Sequence, residues 1–118
     1  MKTLTAPSEQ ESELVKWSGA HAKVWLFHVT HNRMVICLFR KGEHESLYIV
    51  AVGCEHIAGP LQWDPVLITL VTEQPNSWGE VRRRIVDRQA GFELLCSDVT
   101  IVRGALGVPN DPFDGVFR

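Results

Sequence analysis

The 118 residues contain no apolar run long enough to cross a membrane, and the opening Met1-Lys2-Thr3-Leu4-Thr5-Ala6-Pro7 lacks the apolar core of a secretory signal. The expectation is a cytoplasmic protein with no membrane partner. Cysteine is scarce: Cys37, Cys54 and Cys96 are odd in number and include no CxxC pair. A small disulfide scaffold is thereby excluded, and three reduced thiols acting as small hydrophobes suit a reducing compartment. Excess charge is also missing. Twelve Lys and Arg against fourteen Asp and Glu leave a formal charge of −2, which offers nucleic acid no electrostatic purchase. There is no HExxH helix, no GxGxxG turn between strand and helix and no Walker lysine, so no cofactor is expected. Internal repeats, low-complexity segments and domain boundaries are absent as well. The chain reads as a single domain, 1–118, with 1–7 a loose lead-in and 104–118 a tail dense in Gly, Pro, Asn and Asp. That tail retains Val108, Phe113, Val116 and Phe117, which suits a segment lying along the body of the protein or a neighbouring subunit.

What is present in quantity is β-forming apolar sequence. Val24–Thr30, Met34–Phe39 and Leu47–Val52 are strand-length runs of Val, Ile, Leu and aromatics. His31-Asn32-Arg33 and Lys41–Glu45 separate them, with Asn32 and Gly42 able to take positive φ. Strands joined so briefly must be antiparallel neighbours, a three-strand meander. With a two-residue turn at His31-Asn32, Trp25, Phe27 and Val29 share a face with Met34, Ile36 and Leu38. Val24, Leu26 and His28 then share the other with Val35, Cys37 and Phe39. Placing Phe39 opposite Leu47 adds Tyr48, Val50, Val52, Cys54 and His56 to the first face, and Leu47, Ile49, Ala51 and Gly53 to the second. Neither face is polar, so both need cover.

Ser8-Glu9-Gln10-Glu11 reads as a capping box, Gly19 as a stop, and the helix between them, over about 9–18, carries a thin stripe of Leu14, Val15 and Trp17. So short a helix cannot cover both faces of the meander, which argues for a partner chain, unless the faces close on each other as a sandwich or barrel. Val66–Thr72 is a further strand, again apolar on both faces. Trp78–Gly91 fits a helix or a strand, and the β-rich spacing of its neighbours favours the strand, with Glu80, Arg82, Arg84 and Arg88 on a solvated face and Val81 and Ile85 inward. Phe92–Ser97 and Val99–Arg103 complete the strands, with a bend or bulge at Ser97-Asp98.

The expected fold is α+β and β-rich: an antiparallel meander sheet of about five to seven strands with one short N-terminal helix packed on it. The expected function is a non-enzymatic interaction module that self-associates, as a homodimer, through an apolar sheet face. The competing view is a small enzyme or ligand- or metal-binding protein with a pocket built from His28, Cys54, His56 and Trp63. In it, Cys54 or Cys96 would act as thiolate and His56 as base. Neither catalytic, cofactor-binding nor metal-ligating residues can be assigned outright, because no group of converging ligands has metal spacing. Trp63 and Trp78, beside loops, are the tryptophans best placed for ligand contact.

Overall fold

The computed structural model of the chain describes residues 2–28 and 32–104, residues 26–28 by their backbone alone. The expectations for His31 in the first turn and for the tail beyond Gly104 fall outside the described residues. In chain order the elements are β1 (Lys2–Leu4), α1 (Pro7–Lys16), β2 (His21–His28), β3 (Arg33–Phe39), β4 (Ser46–Val52), β5 (His56–Ala58), β6 (Gln62–Trp63), β7 (Thr69–Thr72), β8 (Arg83–Asp87), β9 (Phe92–Cys96) and β10 (Asp98–Gly104). They form a six-stranded sheet, β1-β10-β4-β3-β2-β6, and a four-stranded sheet, β5-β9-β8-β7. Every pairing is antiparallel. The α+β, β-rich class is as expected. The second sheet resolves the meander's cover problem on one side.

The two sheets are halves of one bent ribbon. β4 and β10 pair as far as Val52 and Asp98, and beyond the bend β5 and β9 pair from His56 and Leu95. The Ser97 amide donates to the Val52 carbonyl at 2.9 Å and the Glu55 amide to Leu95 at 2.8 Å, so the ladder runs up to the corner on both sides. Gly53 turns one strand there with φ 63°, and Ser97, where the sequence suggests a bend, turns the other. Folding the ribbon on itself buries Ile36, Leu38, Leu47, Ile49 and Ile101 of the large sheet against Ile85, Phe92 and Leu94 of the small one, all at or below 1% exposure.

Register differs from the sequence expectation at two points. Leu38, not Phe39, lies opposite Leu47, a one-residue slip that reverses every side chain of β4. Leu47, Ile49 and Ala51 therefore join Met34, Ile36 and Leu38 in the core, and Tyr48 and Val50 join Val35 and Cys37 outside it. Within β2 the register shifts between Val24 and Leu26. On the turn side of this bulge Phe27 pairs with Met34 and His28 with Arg33, where a two-residue turn at His31-Asn32 would have put Val29 and Thr30. On the other side Val24 pairs with Ile36 and packs on the core, while Trp25 packs outside.

Residues 2–4, read as a loose lead-in, form an edge strand on β10. The helix starts at Pro7 with Ala6 as its N-cap and no side-chain cap, which displaces the capping box expected at Ser8. Pro at the first helical position needs no N–H partner and has its φ preset. At the other end Arg40 supplies the cap, donating to the carbonyls of Lys16 (2.6 Å) and Ser18 (3.1 Å) from above the Trp17 ring. Rather than lying across a sheet face, α1 closes the open side of the sandwich. Gln10, fully buried, donates to Leu4 and Val99 of the large sheet (3.0 and 2.8 Å) and accepts from Arg83 of the small one (3.1 Å).

Glu13, one turn further on, is buried and accepts from Arg103 at 2.8 Å and from the Trp17 indole at 3.4 Å, with Lys16 3.7 Å away. Burial pushes its carboxyl up, but Arg103, Trp17 and Lys16 together outweigh that and hold it below the ordinary 4.5. A carboxyl depressed in the folded state stabilises fully above its unfolded value and stops doing so as pH falls through the folded one. The Tm advantage of the natural chain over Glu13→Gln is therefore expected to be greatest near neutrality and to shrink below pH 4.5. Thermal melts of both chains from pH 7 to pH 3 check this, and a gap that does not change with pH would disprove it.

Candidate interaction face

The outer face of the large sheet carries a second apolar cluster. Antiparallel pairing lines up Val102, Tyr48, Cys37 and Lys23 in one row across β10, β4, β3 and β2, and Thr100, Val50 and Val35 in the next. Val35, Cys37, Tyr48, Val50 and Val102 are each buried to below 9% exposure, and Trp25 and Phe39 pack against them. The bulge in β2 is what turns Trp25 outward; its ring lies 5.2 Å from that of Tyr48, tilted by 46°. Phe39 is flanked by His21, stacked at 5.4 Å, and by the Lys23 ammonium 5.8 Å from its centroid.

Between these side chains opens a cleft of about 260 Å³, with Trp25, Phe39 and Tyr48 as aromatic walls, Cys37 beneath, and Lys23 and His44 exposed beside it. Burial raises the Cys37 thiol despite Lys23, Ser46 and Tyr48, and burial next to Cys37 raises the Tyr48 phenol. Both groups stay neutral at physiological pH, so the cleft presents an apolar centre with cationic charge at its border.

The small sheet's outer face is different. Arg82 is held by Glu55 (2.7 Å) and Glu80 (2.8 Å), and Arg84 by Glu73 (2.6 Å) and Glu93. The basic run is therefore a solvated, neutralised face as expected, although the strand begins only at Arg83 and Val81, expected inward with Ile85, is 44% exposed. Arg83, between them, points the other way and is buried.

Of the four pocket residues proposed from sequence, the three whose side chains are described lie apart in the fold. His28 sits at the end of β2, its backbone opposite Arg33, and its side chain is outside the described residues. Cys54, half-buried past the Gly53 corner, packs on the main core with its thiol 3.7 Å from the Ala51 carbonyl. His56 is exposed on β5 in the small sheet, opposite Leu95. Trp63 is on β6 in the large sheet, beside a cleft of about 140 Å³ that it shares with His21, Phe39, Gln62 and Asp64. Its indole N–H donates to Asp87 at 2.8 Å and its ring stacks on Phe92 at 4.5 Å, so both its polar and apolar parts are engaged internally. Burial raises Cys54, and it raises Cys96, with Cys54 beside it, to about 12, so neither thiol supplies a thiolate at neutral pH. Among the described residues no three His, Cys, Asp or Glu side chains converge as metal ligands.

The buried polar residues Gln10, Arg83 and Asp87 escaped the sequence reading. A signal existed for each. Gln10 continues the helical stripe of Leu14 and Trp17, and Arg83 and Asp87 alternate with the core residue Ile85. No family model matches the chain, and no curated protein or solved structure is significantly similar to it.

Proposed function

We propose that the protein is a non-enzymatic interaction module that self-associates through the outer face of its six-stranded sheet. The observation that carries this reading is the aromatic-walled cleft over β2, β3 and β4, an apolar centre bordered by exposed Lys23 and His44. An apolar centre with a polar border is the composition of association surfaces, and Trp and Tyr are the residues on which they most depend. A two-fold pair is the simplest closed assembly, with the same patch used on both chains. The high-lying thiols and the dispersal of Cys54, His56 and Trp63 over separate elements favour this over a Cys-His catalytic pocket.

Light scattering on a dilution series is expected to show a monomer–dimer equilibrium. Trp25→Ser should weaken the dimer at least about tenfold, close to 1.4 kcal/mol, while far-ultraviolet circular dichroism stays unchanged. A chain that remains monomeric up to millimolar concentration, or a dimer indifferent to Trp25 and Phe39 substitutions, would rule this function out.

A further inference from the structure

We propose that the cleft between α1 and β7 is a strand-addition site for an extended peptide that carries an apolar residue and, two positions on and so on the same face, a basic one. This site is separate from the outer face of the large sheet and stands whether or not that face self-associates.

Among the described residues β7 is the last strand of the small sheet and pairs with β8 alone. The Glu73 amide donates to the Arg82 carbonyl at 2.9 Å, which fixes the phase of the ladder. Counting back by twos, Val71 and Thr69 bond to Arg84 and Val86, so the N–H and C=O groups of Leu70 and Thr72 point away from β8 to the open edge. Soluble proteins usually guard such an edge with a lysine, a proline or a bulge. Thr69-Leu70-Val71-Thr72 contains neither residue, and its register on β8 runs without a shift.

Beside this edge is a cleft of about 300 Å³ lined by Leu14 and Val15 of the helix and by Ile68 and Leu70 of the strand, with Glu11 at its border. Val15 is 72% exposed, and Leu67 and Val71 on the same strand segment are 48% and 37% exposed. The two components define the occupant. Two outward-facing pairs of backbone groups require an extended chain with its own free N–H and C=O groups, and the apolar lining requires an apolar side chain between helix and strand. Glu11 forms no ion pair with another described residue, so a cation on the incoming peptide would complete it.

The test is a titration of the full-length nitrogen-15-labelled protein with the blocked hexapeptide Thr-Val-Thr-Val-Thr-Arg. Chemical-shift changes should concentrate at Leu14–Val15 and Ile68–Thr72, and exchange of the Leu70 and Thr72 amides should slow at least about tenfold at saturation. Replacing both valines of the peptide by proline removes ladder donors and should abolish binding, and ending it in glutamate should weaken it. Val15→Glu, at an exposed position that tolerates substitution, should weaken binding at least about tenfold without altering the rest of the spectrum. No shifts at millimolar peptide, shifts centred elsewhere, or equal binding of the proline peptide would each overturn the proposal.

Discussion

Asp87→Ala is expected to lower folding stability by about 3–5 kcal/mol, a large share of the roughly 5–15 kcal/mol that a domain of this size has in total. The side chain is fully buried at the end of β8 and accepts three hydrogen bonds. Its Oδ2 takes the Trp63 indole and the Leu67 amide, each at 2.8 Å, and its Oδ1 takes the Ala90 amide at 3.2 Å. These donors belong to β6, to the segment entering β7 and to the turn before β9, so one carboxylate joins an edge of the large sheet to two loops of the small one. Truncation strands the donors, at about 1–3 kcal/mol for each that water does not reach. Leu67 is half exposed, which allows water some repair and places the total below the sum of three full penalties. Asp87→Asn should cost roughly half as much, because an amide keeps one acceptor oxygen for Trp63 and Leu67 and opposes only Ala90 with its NH₂ group. Urea denaturation supplies both numbers, and the Trp63 indole proton resonance should move in each variant. A loss below about 1 kcal/mol for the alanine variant would mean that the carboxylate does not hold these segments together.

How much of this was legible beforehand depends on what alternation can encode. The existence of β2, β3 and β4, the strand character of 83–87 and the bend at Ser97 all follow from composition and spacing. Face assignment does not, for a specific reason. Where one face of a strand is polar, a slip of one residue exposes apolar groups and the pattern forbids it. Here Tyr48, Val50, Val35 and Cys37 are as apolar as Leu47, Ile49, Met34 and Ile36, so the pattern fits either register. The loop 40–45 decides between them, and Gly42 permits more than one geometry. Likewise the bulge at Trp25 carries no glycine to announce it.

The candidate residues teach a related point. Trp63 lies beside loops, as the sequence suggests, but a tryptophan there closes a seam between sheets as readily as it faces a ligand. The deciding partner is Asp87, whose burial nothing in the sequence reading anticipates. In the helix, Gln10, Glu13, Leu14 and Trp17 form the buried stripe while Val15 is left outside it. A stripe with two polar members looks thin when hydrophobicity alone is counted. Its strength lies in hydrogen bonds to Leu4 of the preceding strand and to Val99, Arg83 and Arg103, which are far away in the chain. The same displacement of Val15 opens the cleft along β7.

Gly53→Ala is expected to destabilise the fold by about 2–4 kcal/mol through two separable causes. The first is conformational: φ of 63° lies in the left-handed region, which costs an L-residue roughly 1–2 kcal/mol. The second is steric, since a Cβ at this position would lie 2.3 Å from Ser97 Oγ and 2.9 Å from Ser97 Cβ. The hydroxyl can rotate away, but the Cβ moves only with its backbone, and the Ser97 amide is bonded to Val52. A double-mutant cycle divides the two. Ser97→Gly removes both contacting atoms at a cost of about 0.5–1 kcal/mol for added chain freedom, so in the Ser97→Gly background the alanine substitution should cost only its conformational share. Equilibrium denaturation of the four chains reads the coupling, expected at about 1–2 kcal/mol in the compensating direction. Strict additivity would show that the corner relaxes around a methyl group. In that case the close approach of Gly53 to Ser97 would not set the angle at which one ribbon folds into two sheets.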